Sequence, residues 1–193
     1  MTELLLVRHG ETDWNAEQRF QGHADPPLNE RGRGQARELA RQLRGAHLEA
    51  LYTSPLRRAA ETAAILSVCL GLPARPLGAL REIDVGEWQG LTRTEVEERF
   101  PEAFARWLAF GPGWEAGETY EQLGARVLAG FREIAAAHPR GRVLVVTHGG
   151  PLRSALAVCA GVPYGVSRRH IDAVANCGIV RLGVADGTVR VLE

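Results

Sequence analysis

The chain places an arginine and a histidine side by side, Arg8-His9, where the apolar run Leu4-Leu5-Leu6-Val7 gives way to the polar tip Gly10-Glu11-Thr12. An imidazole can act as nucleophile, base or metal ligand, and an adjacent guanidinium favours an anionic substrate such as a phosphate. The same pattern returns at the strand-like segment from Arg142, which ends in Thr147-His148-Gly149-Gly150. A lone histidine is more often structural than catalytic, but two in the same strand-end setting are harder to assign to structure alone. Arg57 and Arg58 follow Ser54-Pro55 in the first turn of an expected helix, where free backbone N–H groups and the helix dipole also favour an anion. Glu82, Asp84 and Glu87 lie together in a polar connection and have equal chemical merit for proton transfer. The residue types alone select neither one carboxylate nor one arginine of the pair.

These groups need a scaffold, and the periodicities supply one. Four consecutive apolar residues fit a strand buried on both faces, and Gly10 allows a sharp turn with room for a ligand at the sheet edge where open α/β folds bind. Ala36, Leu39, Ala40 and Leu43 have the spacing of an amphipathic helix after Asn29. Leu48 to Tyr52 reads as a strand, and Ser54 as N-cap with Pro55 at the first position starts a helix to about Leu70. Pro73 to Leu77 reads as a third short strand. Leu91 to Phe110 reads as helical with a break near Pro101, followed by the loop-like Gly111 to Gly117. Thr119 with Gln122 forms a capping box for a long helix to Ala137. Arg142 to Val146 reads as a strand and Pro151 to Ala160 as a helix, and Asp186-Gly187 joins two closing strands as a hairpin. Repeated strand-then-helix units predict an α/β fold: three layers, α/β/α, around a mostly parallel sheet with an antiparallel edge. No linker divides the chain, so residues 1–193 read as one domain with a small helical cap around 91–118.

Composition narrows the function classes. Among 193 residues there are 23 acidic and 23 basic side chains, so no net field attracts nucleic acid or a membrane surface, and anion binding must be local. Every basic residue is arginine, which says nothing about function. Cys69, Cys159 and Cys177 are odd in number, far apart and in apolar neighbourhoods, as expected of buried thiols in a reduced compartment. No segment has the length of a signal-peptide core or a membrane span, so the expectation is a cytoplasmic protein. An exposed sheet edge would allow a homodimer.

Arg8-His9-Gly10-Glu11-Thr12 with Trp14-Asn15, Ser54-Pro55-Leu56-Arg57-Arg58-Ala59 with Thr62, Glu82 before Gly86 and Gly90, and His148-Gly149 together resemble the histidine phosphatase superfamily, the phosphoglycerate mutase-like group. The likeness implies a phosphomonoester hydrolase in which His9 accepts the phosphoryl group as a transient phosphohistidine. It implies that Arg8, Arg58 and His148 surround that group with help from Asn15, that Arg57 is a surface residue, and that Glu82 is the general acid. It also implies no metal and no cofactor. Gln21 and Gly22, with His23 after them, fall in the loop the family places near substrate. Gly149 adjoins His148, and Arg93 stands where mutases carry a substrate-binding lysine. A bisphosphoglycerate-dependent mutase is the alternative, but mutases carry an adjacent arginine pair in a longer insertion, and Phe100 to Gly117 offers only Arg106. A non-catalytic phospho-ligand binding module is the alternative of another class, and it would be expected to lack one of these groups. Trp107, Phe110 and Trp114 suit either a pocket wall or packing of the cap.

Overall fold

The structure is a computed structural model that describes residues 1–192. Six strands form one sheet: β1 (Thr2–Arg8), β2 (Ala50–Thr53), β3 (Ala74–Pro76), β4 (Arg142–Thr147), β5 (Ile179–Ala185) and β6 (Thr188–Val191). Their spatial order is β3-β2-β4-β1-β5-β6. The first four run parallel, and β5 and β6 are antiparallel to their neighbours. The helices are α1 (Asp13–Ala16), α2 (Glu30–Gln42), α3 (Arg57–Leu70), α4 (Arg93–Arg99), α5 (Pro101–Leu108), α6 (Tyr120–Ala137), α7 (Gly149–Ala160) and α8 (Tyr164–His170).

The apolar run of β1 is buried on both faces because successive side chains alternate across a strand. Leu4 and Leu6 join Val143, Val145 and Leu182 in a core completed by Phe131 and Ile134 of α6 and Leu152 of α7. Leu5 and Val7 join Leu144 and Val146 in a second core, against Leu39 of α2 and Ala63 and Leu66 of α3. Each fully buried leucine contributes roughly 1.5–3 kcal/mol, and a one-residue slip of β1 would draw the charged Glu3 or Arg8 into the place of Leu4 or Val7. The register is therefore fixed, and it pairs Arg8 with Thr147. The His9 N–H donates to the Thr147 carbonyl at 2.9 Å, which sets the two strand-end histidines next to each other.

Local signals account for most boundaries. Asn29 caps α2 by accepting from the Gly32 N–H at 2.8 Å, and Thr119 and Gln122 form the capping box of α6. Asp186 and Gly187 both have positive φ, the requirement of a tight hairpin turn. The break at Pro101 separates α4 from α5 because proline opens the second helix. Three readings need correction. Ser54 is not the N-cap of α3, which starts at Arg57 behind Leu56 without a side-chain cap. The turn Tyr164–His170, absent from the periodicity reading, is helical. Cys69 is exposed, since α3 turns Thr62, Ala63 and Leu66 inward, while Cys159 and Cys177 are half-buried. No helix among the described residues is long and apolar enough to cross a membrane.

The tip of β1 crosses the first turn of α2 at a contact between glycines. A Cβ on Gly32 would lie 2.1 Å from the Glu11 carbonyl oxygen, and one on Gly10 would lie 2.6 Å from the Gly32 oxygen. Gly34, two residues on, has nothing within 4 Å of its would-be Cβ. Gly32→Ala is therefore expected to destabilise by about 2 kcal/mol or more and to reduce any activity that depends on His9. Gly34→Ala should be neutral or stabilising by up to about 1 kcal/mol. Urea denaturation of the two variants checks the contrast, and equal midpoints would contradict the packing described.

Candidate functional site

A cleft of about 240 Å³ opens at the edge of the sheet where β1 and β4 end, and Arg8, His9, Asn15, Gln21, Gly22, Arg58 and Glu82 line it. This is at the small end for ligand clefts. Trp107, Trp114, Tyr120, Tyr164 and Arg168 form the rest of its wall together with Arg19 and Phe20.

His9 is 2 % exposed, and its Nδ1 lies 2.7 Å from the carbonyl oxygen of Gly10. A carbonyl only accepts, so Nδ1 carries the proton and Nε2 keeps its lone pair. Burial, then the charges of Arg58 and Arg8, hold the imidazole well below its usual range, and the Gly10 hydrogen bond only partly opposes them. The ring is thus neutral with one free nucleophilic nitrogen. His148 is fully buried, its ring centroid 5.1 Å from that of His9. Its Nε2 is 2.7 Å from the Ser54 hydroxyl, and Nδ1 is buried without a partner. Burial and Arg58 push its pKa well down as well.

Arg58 has no exposed surface, yet its guanidinium donates to backbone carbonyls, Ala24 at 2.7 Å and Gly22 at 2.8 Å. Burial lowers its pKa to about 10, offset in part by Glu82 and Asp25, so it stays cationic at neutral pH. Arg57 is exposed and pairs with Glu61 at 2.7 Å, one turn along α3. Arg8 donates through Nη1 to the Val174 carbonyl at 2.8 Å, and its Nε and that of Arg58 are buried without acceptors.

The three carboxylates separate by what they touch. Asp84 closes a turn by accepting from the Gly86 N–H at 2.9 Å, and Glu87 accepts from the Glu115 N–H at 3.0 Å. Glu82 alone lines the cleft, with Oε1 accepting from the N–H groups of Ile83 at 2.9 Å and Gly150 at 3.0 Å. Gly149 opens α7 but does not line the cleft, and Arg93 does not either. The Arg93 guanidinium lies over the Trp107 ring at 4.9 Å, and that of Arg168 lies over the same ring at 4.2 Å. Arg106 is bound to Glu115 and the Gly113 carbonyl. Trp107 and Trp114 are cleft wall, whereas Phe110 is not and packs under Arg169.

Sequence reasoning missed Asn176, whose Nδ2 donates to the His9 carbonyl at 2.9 Å and to Asn15 Oδ1 at 3.3 Å. The signal existed in the topology: an antiparallel strand beside β1 begins where β1 ends, so the residues just before it reach the tip of β1. It also missed Arg168, Tyr120 and Tyr164, the tyrosine rings being stacked at 4.4 Å.

A family model described as the histidine phosphatase superfamily, branch 1, matches residues 4–193. Phosphoserine phosphatase 1 of Hydrogenobacter thermophilus is 37 % identical over 164 residues, covering 84 % of this chain and 78 % of that protein. Among solved structures, YhfR of Bacillus stearothermophilus superposes with a TM-score of 0.90 at 34 % identity, covering 99 % of this chain and 95 % of its own. A mycobacterial glucosyl-3-phosphoglycerate phosphatase, solved with VO3, gives a TM-score of 0.86 at 30 % identity over 98 % of this chain and 96 % of its own.

The neutral histidines make the fold sensitive to acid. Both are depressed from a usual value of 6.5, so below that pH the unfolded chain takes up protons that the folded chain does not. Stability is therefore complete above about pH 6.5 and falls as the pH drops, by up to about 1.4 kcal/mol per pH unit for each histidine. His9→Asn should remove about one proton's worth of that slope, as measured by urea unfolding at a series of pH values.

Proposed function

The chain belongs to branch 1 of the histidine phosphatase superfamily, and on that premise we propose how its residues divide the hydrolysis of a phosphomonoester. His9 Nε2 attacks phosphorus, the ester P–O bond breaks, and the phosphoryl group passes to the ring. The observation that carries this reading is the neutral His9, its proton fixed on Nδ1 by Gly10 and its Nε2 free beside two buried guanidinium groups. Phosphoryl transfer passes through a loose transition state with charge on its equatorial oxygens, so fixed cations supply most of the stabilisation. Arg8 and Arg58 take that task, neutral His148 and Asn15 add polar contacts, and Gln21 and Gly22 border the phosphoryl group. The two guanidinium charges supply the positive field at the transferred group.

Glu82 protonates the departing oxygen in the first half and removes a proton from water in the second, when water displaces His9 and releases inorganic phosphate. Its place in the cleft, with Asp84 and Glu87 occupied elsewhere, supports that assignment. Arg106 is bound to Glu115 and contributes no cation to the cleft, which favours hydrolysis over mutase chemistry. Arg168 in the wall, beside Arg93 on the same indole, supports a substrate that also bears a carboxylate. Phosphoserine and glucosyl-3-phosphoglycerate, named for the relatives, both do. We place this chemistry in one domain of a cytoplasmic protein, a compartment supported by three cysteines that are all free.

His9→Ala should abolish an acid-labile, base-stable phosphoenzyme, detected after rapid quenching with radiolabelled substrate. Glu82→Gln should slow turnover by about 100-fold, while Asp84→Asn stays within a few-fold of the parent. Phosphate release from phosphoserine should greatly exceed bisphosphoglycerate-dependent isomerisation of 3-phosphoglycerate. Rapid isomerisation with little hydrolysis would reverse the choice.

A further inference from the structure

Residues 81–85, which carry Glu82, belong to no helix or strand. The carboxylate accepts from the Ile83 and Gly150 N–H groups, but no helix or strand ladder holds the peptide that carries it, and side chains from elsewhere set the path of that backbone. Arg126, in the middle of α6, is the principal one. Its Nη1 donates to the carbonyls of Ala79 at 2.8 Å and Arg81 at 2.9 Å, and its Nη2 to that of Glu82 at 3.3 Å. Nε and Nη2 also grip the Glu118 carboxylate at 2.8 and 2.6 Å. All five guanidinium N–H donors are thereby used, three of them on the segment that ends at Glu82.

Glu118 is itself tied at both ends of its peptide. Its N–H donates to the Asp84 carbonyl at 2.9 Å, and its carbonyl accepts from the Trp114 indole at 2.9 Å. His23 adds a second donor to the Glu82 carbonyl, through Nε2 at 2.9 Å. The arrangement joins the cleft wall at Trp114 to the backbone of the carboxylate residue through one ion pair.

We propose that Arg126, locked by Glu118, is a positioning residue for Glu82, setting the reach of its carboxyl group to the oxygen that leaves phosphorus. The inference rests on the reading of Glu82 as proton donor. A lysine carries one nitrogen and cannot bridge three carbonyls and a carboxylate at once, so Arg126→Lys keeps the charge and removes the fork.

The test exploits leaving groups. Phosphoserine releases an alkoxide that must be protonated, whereas p-nitrophenyl phosphate releases a stable phenolate. Phosphoenzyme formation would be followed by rapid quench with each substrate. Arg126→Lys is expected to slow the reaction of phosphoserine by about tenfold or more, and that of p-nitrophenyl phosphate by less than about threefold. Glu82→Gln should separate the two substrates in the same sense, and the double variant should be no slower than Glu82→Gln alone. Equal losses on both substrates, or multiplied losses in the double variant, would overturn the positioning role. If Glu82→Gln itself fails to separate the substrates, the proton donor is misassigned and the proposal falls with it. Glu118→Gln, which weakens the lock without removing the guanidinium, carries the same comparison if Arg126→Lys does not fold.

Discussion

The structure depends on how a buried positive charge is held. Arg58 has no contact with solvent and rests on the carbonyls of Gly22 and Ala24, so its charge is solvated by peptide dipoles rather than cancelled by a carboxylate. Burying an unpaired cation costs several kcal/mol, and backbone hydrogen bonds return only part of it. The charge itself, not cancelled by an adjacent carboxylate, sets a positive potential at the end of the sheet. Glu82 and Asp25 offset it from a distance, and burial still lowers the guanidinium pKa to about 10. The same field, together with burial, keeps His9 and His148 neutral. One buried charge thus sets the protonation of both histidines and the positive character of the cleft.

The fold delivers these groups by register. Two cores grip alternate residues of β1, and the pairing of Arg8 with Thr147 places His9 and His148 at adjacent strand ends. The antiparallel β5 brings Asn176 to the His9 carbonyl. By contrast, Glu82 is on irregular backbone whose path is set by side chains of the first loop and of α6, while its carboxylate accepts from the Ile83 and Gly150 N–H groups. His9 is thus held by the sheet and Glu82 by a set of individual polar contacts.

What could be read from the sequence follows the range of each interaction. The cap at Thr119, the helix spacing after Asn29 and the Asp186-Gly187 turn are local, and each appears in the structure within a residue or so. The two strand-end histidines were legible because strand and glycine patterns are local too. Ser54 was misread because its local signal, serine before proline, resembles a helix cap, whereas its hydroxyl meets His148, 94 residues away. The choice among Glu82, Asp84 and Glu87 depends on the path of an irregular segment fixed by α6, which no periodicity records. Arg168 and Tyr164 escaped for a similar reason: the short helix α8 that carries them shows no apolar periodicity, and its place is set by contacts distant in sequence, with Tyr120 and Trp107.

The anchoring of Arg58 on peptide carbonyls has a consequence for how such a protein can change. The side chains at Gly22 and Ala24 play no part in the contact; only the path of the chain matters. Trp107 and Arg168, meanwhile, reach the cleft from α5 and α8, stretches of chain far in sequence from both anchors. The anchor of the buried charge and the aromatic wall are therefore separable in heredity: substitutions in α5 and α8 can reshape the wall while the path through Gly22 and Ala24 is passed on unchanged.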